Sequence, residues 1–245
     1  MNERYVDITT KHGAIPSFLA APGAEGQWPA IILYMDAPGI REELRNIARR
    51  IAKQGYVCVL PDLYHRYGTL RFDMPKRSDA MSVVIRAAYL SLTDQNIAED
   101  TAGIVGFLEA QPEVQPGKIG SIGFCMSGRF VTTAARDFPE RFACAASLYG
   151  TRLVTDEDDS PHKDLSAIKA EMYYGFGDVD QTTPPDYIET FRKSLDRDKV
   201  NYSMDVFKGV DHGYSFVERA MYDAQAAEAS WAKTFDLFKR NLSRT

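Results

Sequence analysis

Cysteine is scarce in this chain of 245 residues: there are three, Cys58, Cys125 and Cys144. An odd set without metal-type spacing argues against a disulfide framework as the device that holds the fold. Long apolar runs are also missing, and none approaches the roughly 18 residues that cross a bilayer. The start, Met1-Asn2-Glu3-Arg4, leads straight into a strand pattern and shows no signal-peptide core. Charge of one sign is not in large excess, with 29 Lys and Arg against 34 Asp and Glu, a net of −5. That balance gives no electrostatic reason to expect nucleic acid or an anionic membrane as partner. No metal-ligating cluster and no glycine-rich phosphate loop is present, so neither a metal nor a cofactor is implied. Repeats and low-complexity linkers are absent, and no residue pattern marks an oligomeric state. The expectation is one domain over residues 1–245, in a reducing cytoplasm where a thiol stays free.

What the chain does have is strands alternating with helices. Residues 5–10 and 15–20 read as a hairpin around Lys11-His12-Gly13. Residues 30–34 and 56–60 are short apolar runs of the kind found in buried central strands. Between them Leu44, Ile47, Ala48, Ile51 and Ala52 recur at helical spacing. Residues 62–80 are polar and basic and read as loop. Helices follow at 82–89 and through Ile97, Thr101, Ile104, Val105 and Leu108. Further strands are expected near 118–122, 143–149, 169–174 and 201–207. Pro184 and Pro185 open a helix reaching to about residue 196. A last helix is expected to turn Met221, Ala224, Ala227, Trp231, Phe235 and Phe238 inward. This alternation predicts an α/β fold, a mostly parallel central sheet with helices on both faces.

The most informative stretch is Gly123-Phe124-Cys125-Met126-Ser127-Gly128, between a strand-like run and a helix-capable one. One nucleophile between small residues at such a junction is the nucleophile elbow of an α/β-hydrolase. Its turn is strained, so the neighbours two residues away must be small, as Gly123 and Ser127 are. The helix that follows aims partial positive charge at the thiol and favours its reactive thiolate form. A free cysteine more often simply packs in a core, which is the expectation for Cys58 and Cys144.

In this fold the partners follow the nucleophile in the order acid, then histidine. Two histidines follow Cys125. His162 lies in an acidic stretch, too early to follow the acid, and reads as a solvated loop residue. His212, in Gly209-Val210-Asp211-His212-Gly213 after the last strand, stands where a general base belongs. The segment Gly175-Phe176-Gly177-Asp178-Val179-Asp180 offers two carboxylates: one to orient the imidazole, the other to make local turn hydrogen bonds.

These residues together resemble the dienelactone hydrolase family, over most of the chain. The family's elbow has glycine where Ser127 stands. Its acid motif falls on Gly177, Asp180 and Pro184, which selects Asp180 over Asp178. Its oxyanion loop resembles Tyr34-Met35-Asp36-Ala37-Pro38-Gly39, with Asp36 in place of a glutamate. The stretch Pro61-Asp62-Leu63-Tyr64 also matches, weakly. The resemblance implies Cys125, His212 and Asp180 as catalytic residues. It places the oxyanion between the backbone N–H groups of Ala37 and Met126, with Asp36 supporting the resting thiol. The implied substrate is a small lactone or carboxylic ester of dienelactone type, cleaved through a thioester. The family binds a substrate carboxylate with arginines, for which Arg86 and Arg219 are the candidates. Arg66, Arg71, Lys76, Arg77 and Arg129 are further cations that read as solvated surface charges. Two other readings use the same residues: hydrolysis of another activated acyl or carbon–halogen substrate, and a non-catalytic binding or thiol-sensing role.

Overall fold

Alternation of polar and apolar residues produces a hairpin from β1 (Asn2–Thr10) and β2 (Gly13–Ala21), antiparallel, with Asn2 opposite Ala21 and Thr10 opposite Gly13. The later half of β2 is buried where it pairs with β4 (Val57–Pro61), antiparallel, Ser17 opposite Pro61. β3 (Ala30–Tyr34) lies parallel to β4, and every residue of both is buried. Uninterrupted apolar strands of this kind are covered on both faces. The computed structural model describes residues 1–242 of the chain.

Helix α1 (Glu42–Lys53) buries the five residues picked out by their spacing. It carries Glu42 and Glu43 in its first turn and Arg50 and Lys53 in its last, which suits the helix dipole. Residues between β4 and the next helix hold two short 3-10 turns, His65–Tyr67 and Met74–Lys76. Helices α2 (Asp79–Leu90) and α3 (Asp94–Glu109) begin at side-chain caps, Ser78 and Thr93, which accept from Met81 N and Asn96 N. Each such cap satisfies an amide that the helix itself leaves unpaired. These elements make up the first of two compact units, Met1–Ile119, with strand order β1-β2-β4-β3.

The second unit starts at Gly120. It holds β5 (Ile119–Phe124), α4 (Ser127–Asp137), β6 (Phe142–Leu148), β7 (Glu171–Gly177), α5 (Pro185–Arg197), β8 (Tyr202–Phe207) and α6 (Ala224–Asn241). Its strand order is β5-β6-β7-β8, and β7 is parallel to both β6 and β8. The register sets Leu148 opposite Gly175 and Gly177 opposite Phe207, so β7 and β8 end level and β6 stops two residues earlier. In parallel sheets the carboxyl ends of strands are where functional loops gather.

Helix α6 departs from expectation at its start. Its buried face is Ala226, Ala227, Ser230, Trp231, Thr234, Leu237 and Phe238. Met221 and Ala224 are exposed. Asp223 caps the helix by accepting from Ala226 N, so Met221 precedes the first turn and the apolar periodicity runs on past the helix. His162 also differs from its expected solvated state: it is half-buried in a 3-10 turn, Pro161–Lys163, with Nδ1 2.8 Å from Ser160 Oγ.

One close approach in the second unit dictates a glycine. A Cβ on Gly128 would lie 2.2 Å from the Cα of Gly150 and 2.5 Å from Ser147 Oγ. Alanine would improve helix propensity by about 1 kcal/mol, but overpacking against backbone costs about 1–3 kcal/mol or more. Gly128→Ala is therefore expected to destabilise the chain by about 1–2 kcal/mol net, read as a lower urea midpoint; an unchanged or higher midpoint would contradict this packing.

Candidate active site

Cys125 follows β5 and precedes α4, and its backbone adopts φ +55°. This left-handed conformation costs a residue with a side chain about 1–2 kcal/mol. Three hydrogen bonds hold it. Cys125 N donates to Leu148 O at 3.1 Å, while Cys125 O accepts from Gly128 N at 3.0 Å and from Thr151 N at 2.9 Å. A Cβ on Gly123 would meet Val131 Cγ2 at 2.6 Å and Ser127 O at 2.7 Å, so the turn closes only over glycine. Ser127, in the position where the family has glycine, is fully buried and opens α4 without disturbing it. Met126 is the N-cap of this helix, the end that carries partial positive charge. Cys125 is half-buried, whereas Cys58 and Cys144 are enclosed, and burial pushes both of those thiols far above their usual range.

The two carboxylates after β7 have separate partners. Asp178 accepts from Gly209 N at 2.6 Å and ties two loops together. Asp180, 1% exposed, has both oxygens engaged. Its Oδ2 lies 2.7 Å from His212 Nδ1 and accepts from Thr183 Oγ1 at 3.0 Å. Its Oδ1 accepts from Thr182 Oγ1 at 2.6 Å and from Thr182 N at 2.8 Å. The Thr182 hydroxyl also lies 3.0 Å from His212 Nδ1. Having given its proton to Asp180, it can only accept there. A proton on Nδ1 satisfies every partner, which leaves Nε2 for the thiol. His212 is hydrogen-bonded to Cys125 as well as to Asp180. A close passage brings the two loops within reach: a Cβ on Gly177 would fall 2.1 Å from Val210 O.

Burial opposes charge on His212, but Cys125 and Asp180 outweigh it and push the imidazole up to about 10. Burial likewise raises the carboxyl of Asp180, yet His212 and Thr182 hold it below its ordinary value. The arrangement therefore favours a charged imidazole beside the Asp180 carboxylate. Tyr149 is fully buried, and its ring centroid is 5.1 Å from that of His212 at an interplanar angle of 68°.

The cations fall differently from expectation. Arg129, 3% exposed, is not a solvated charge: it pairs with Glu157 at 3.2 Å and Asp159 at 3.1 Å. A guanidinium one helical turn from Cys125 is thus committed to a loop. Arg66 pairs with buried Asp100 at 2.6 Å and Arg71 with Asp62 at 3.0 Å. Arg86 stands exposed on α2, and Arg219 is half-buried in the segment after His212, its amide bonded to Phe216 O. In the first unit Asp36 is 1% exposed and takes two bonds from Arg41, 2.5 Å and 3.0 Å. Arg41 was not among the expected site residues. Tyr64 OH donates to Ala37 O at 2.7 Å, and Gly39, at φ +78°, closes the turn by bonding to Asp36 O. Among the described residues, no group of three or more His, Cys, Asp or Glu side chains is arranged to hold a metal ion, and no helix is long and apolar enough to cross a membrane.

Comparison with known proteins follows the same lines. A Synechocystis protein named carboxymethylenebutenolidase is 30% identical over 244 residues, covering 97% of this chain and 96% of the relative. A Bradyrhizobium protein named 2-oxo-3-(5-oxofuran-2-ylidene)propanoate lactonase is 26% identical, covering 97% and 94%. A crystal structure described as a dienelactone hydrolase from Klebsiella pneumoniae superposes with a TM-score of 0.87 at 23% identity, covering 98% of each chain. The model of the dienelactone hydrolase family matches residues 15–242, through both compact units. The chain belongs to the dienelactone hydrolase family and has the α/β-hydrolase fold.

Proposed function

We propose that this hydrolase opens small lactones or cleaves carboxylic esters with Cys125 as nucleophile, His212 as base and Asp180 as its orienting acid, the whole chain serving as one domain. The observation that carries this reading is the hydrogen-bonded series Asp180–His212–Cys125 at a strained strand–helix turn. Two relatives with names of lactone-cleaving enzymes support the substrate class. A free thiol of this kind suits a reducing cytoplasm.

In this mechanism His212 Nε2 takes the proton of Cys125 and the thiolate attacks the carbonyl carbon. The carbonyl π electrons move to oxygen, where the amide of Met126 at the start of α4 is a donor. Losing one such donor typically costs about 3–4 kcal/mol. Collapse expels the ring oxygen as a stabilised enolate and leaves a thioester; the enolate then takes the proton that His212 carries, which frees the imidazole. Water then attacks with His212 as base, and the thiolate departs. Asp180 stays ionised throughout and stabilises the imidazolium. For a substrate bearing a carboxylate, Arg219 is the candidate in the second unit; Arg86, exposed on α2, is the other.

Cys125→Ala is expected to abolish turnover of both an enol-lactone and p-nitrophenyl acetate while leaving the circular dichroism spectrum of the folded chain unchanged; retained turnover would sink the scheme. Arg219→Met is expected to raise KM several-fold for a carboxylate-bearing enol-lactone and to leave p-nitrophenyl acetate unaffected. Equal effects on the two substrates would remove Arg219 from substrate binding.

The charged pair also makes stability depend on pH. His212 titrates near 10 when folded against an ordinary value of 6.5. Its contribution is therefore complete below about pH 6.5 and disappears as pH rises towards 10. The lowered carboxyl of Asp180 contributes above its ordinary value of 3.8 and is lost as pH falls below it. The stability difference between wild type and His212→Gln should accordingly be largest between about pH 4 and 6.5 and shrink towards pH 10 in thermal unfolding. A difference that widens with rising pH would contradict the ion pair.

A further inference from the structure

Tyr149 sits at the end of β6 in a conformation that its residue type disfavours. Its φ is +41°, uncommon for any side-chain-bearing residue and costly for a bulky one. Such strain persists only where surrounding contacts over-determine it. Here its amide donates to Gly175 O at 2.7 Å, and its hydroxyl lies 2.7 Å from Ser215 Oγ. Tyr214 meets the ring edge-on at 5.1 Å, and Phe124 and Phe216 approach at 6.0 Å. All these contacts fix the ring in one place, against His212.

Asp180 and Thr182 take His212 Nδ1, and Cys125 also acts on the imidazole. The carboxylate of Asp211 accepts from the His212 amide at 2.6 Å. Tyr149 lies against the ring edge-to-face, with centroids 5.1 Å apart. We propose that Tyr149 is a positioning residue for His212, its buried aromatic ring serving as a wall that favours the charged form of the imidazole through a cation–π contact. This role rests on the triad proposed above, because it matters only if His212 works as a charged partner of Cys125. It also accounts for the strained backbone: a residue with relaxed φ at this strand end would aim its side chain elsewhere. A cation over an aromatic face gains most where water is excluded, and the ring here is fully buried.

The test is an NMR titration of His212 in the full chain, its signal assigned by loss in His212→Gln. Tyr149→Phe keeps the aromatic face and removes the hydroxyl with its bond to Ser215, so His212 should titrate as in wild type. Tyr149→Leu should lower the titration midpoint by about half a unit to one and a half units. The alkaline limb of kcat/KM for an enol-lactone should move down with it. Pentafluorophenylalanine at position 149 guards against misfolding of the leucine variant. It keeps ring shape but cancels the negative face, and it should lower the midpoint in the same direction. If the leucine and fluorinated variants both titrate like Tyr149→Phe, Tyr149 is only a packing residue and the proposal fails while the triad stands. If wild-type His212 itself titrates near 6.5, the proposal falls together with the charged-pair reading beneath it.

Discussion

The left-handed backbone at Cys125 is the constraint on which the rest of the second unit depends. A strand must end and a helix begin across two residues, Cys125 and Met126, and the first must carry a side chain that projects from the turn. The conformation costs about 1–2 kcal/mol. Three backbone hydrogen bonds, each contributing about 0.5–1.5 kcal/mol net, are enough to offset it. Those bonds in turn require neighbouring chains to come unusually close. Gly123 lets the start of α4 fold back on β5, and Gly128 lets the loop at Gly150 approach the helix. The loop bearing Thr151 can then reach Cys125 O, and it is pinned from its far side by Arg129 and by Tyr187, whose hydroxyl bonds to both Gly150 O and Leu153 N. A buried guanidinium that might have met substrate is thereby spent on backbone geometry.

A second dependence is electrostatic. Taking His212 and Asp180 out of water disfavours charge on both, yet each is shifted towards its charged form. The pairing wins because every hydrogen-bonding position on Asp180 is filled: two threonine hydroxyls, one amide and the imidazole converge on it. A half-satisfied buried carboxylate would instead take up a proton. Asp178, two residues earlier, has the same chemistry but faces Gly209 N, so its charge serves the loop connection. In the first unit Asp36 follows the same rule, its buried charge answered by Arg41.

Local patterns were legible in the residues alone. Five buried positions on α1, the apolar run of β3 and the existence of the hairpin each follow from spacing over fewer than a dozen residues. The elbow was legible too, because its steric demands are written in consecutive small residues. What escaped depends on contacts remote in sequence. Arg129 looks like any surface cation until Glu157 and Asp159 are folded onto it. The pull of Arg41 on Asp36 needs a turn at Gly39, which composition does not announce. Tyr149 carries no sequence mark of its positive φ, and Thr182 is one threonine among several until its hydroxyl is placed between Asp180 and His212. At α6 the error ran the other way: periodicity continued to Met221, while the Asp223 cap starts the helix later.

The charged pair also bears on why the proposed nucleophile is a thiol. An imidazolium that holds its proton up to about pH 10 is a weak acid at neutral pH. It stabilises a thiolate well but gives up a proton to a departing alkoxide reluctantly, since efficient general acids have values near the working pH. Ordinary esters need that proton, because an alkoxide is a poorer leaving group than the thiolate that attacked. The tetrahedral intermediate then returns to substrate. An enol-lactone does not need it: its ring oxygen leaves as a delocalised enolate and can be protonated later. On the proposed mechanism, the same hydrogen bonds that keep Asp180 and His212 charged therefore select activated substrates, and a site tuned for thiolate formation gives up breadth towards simple alkyl esters.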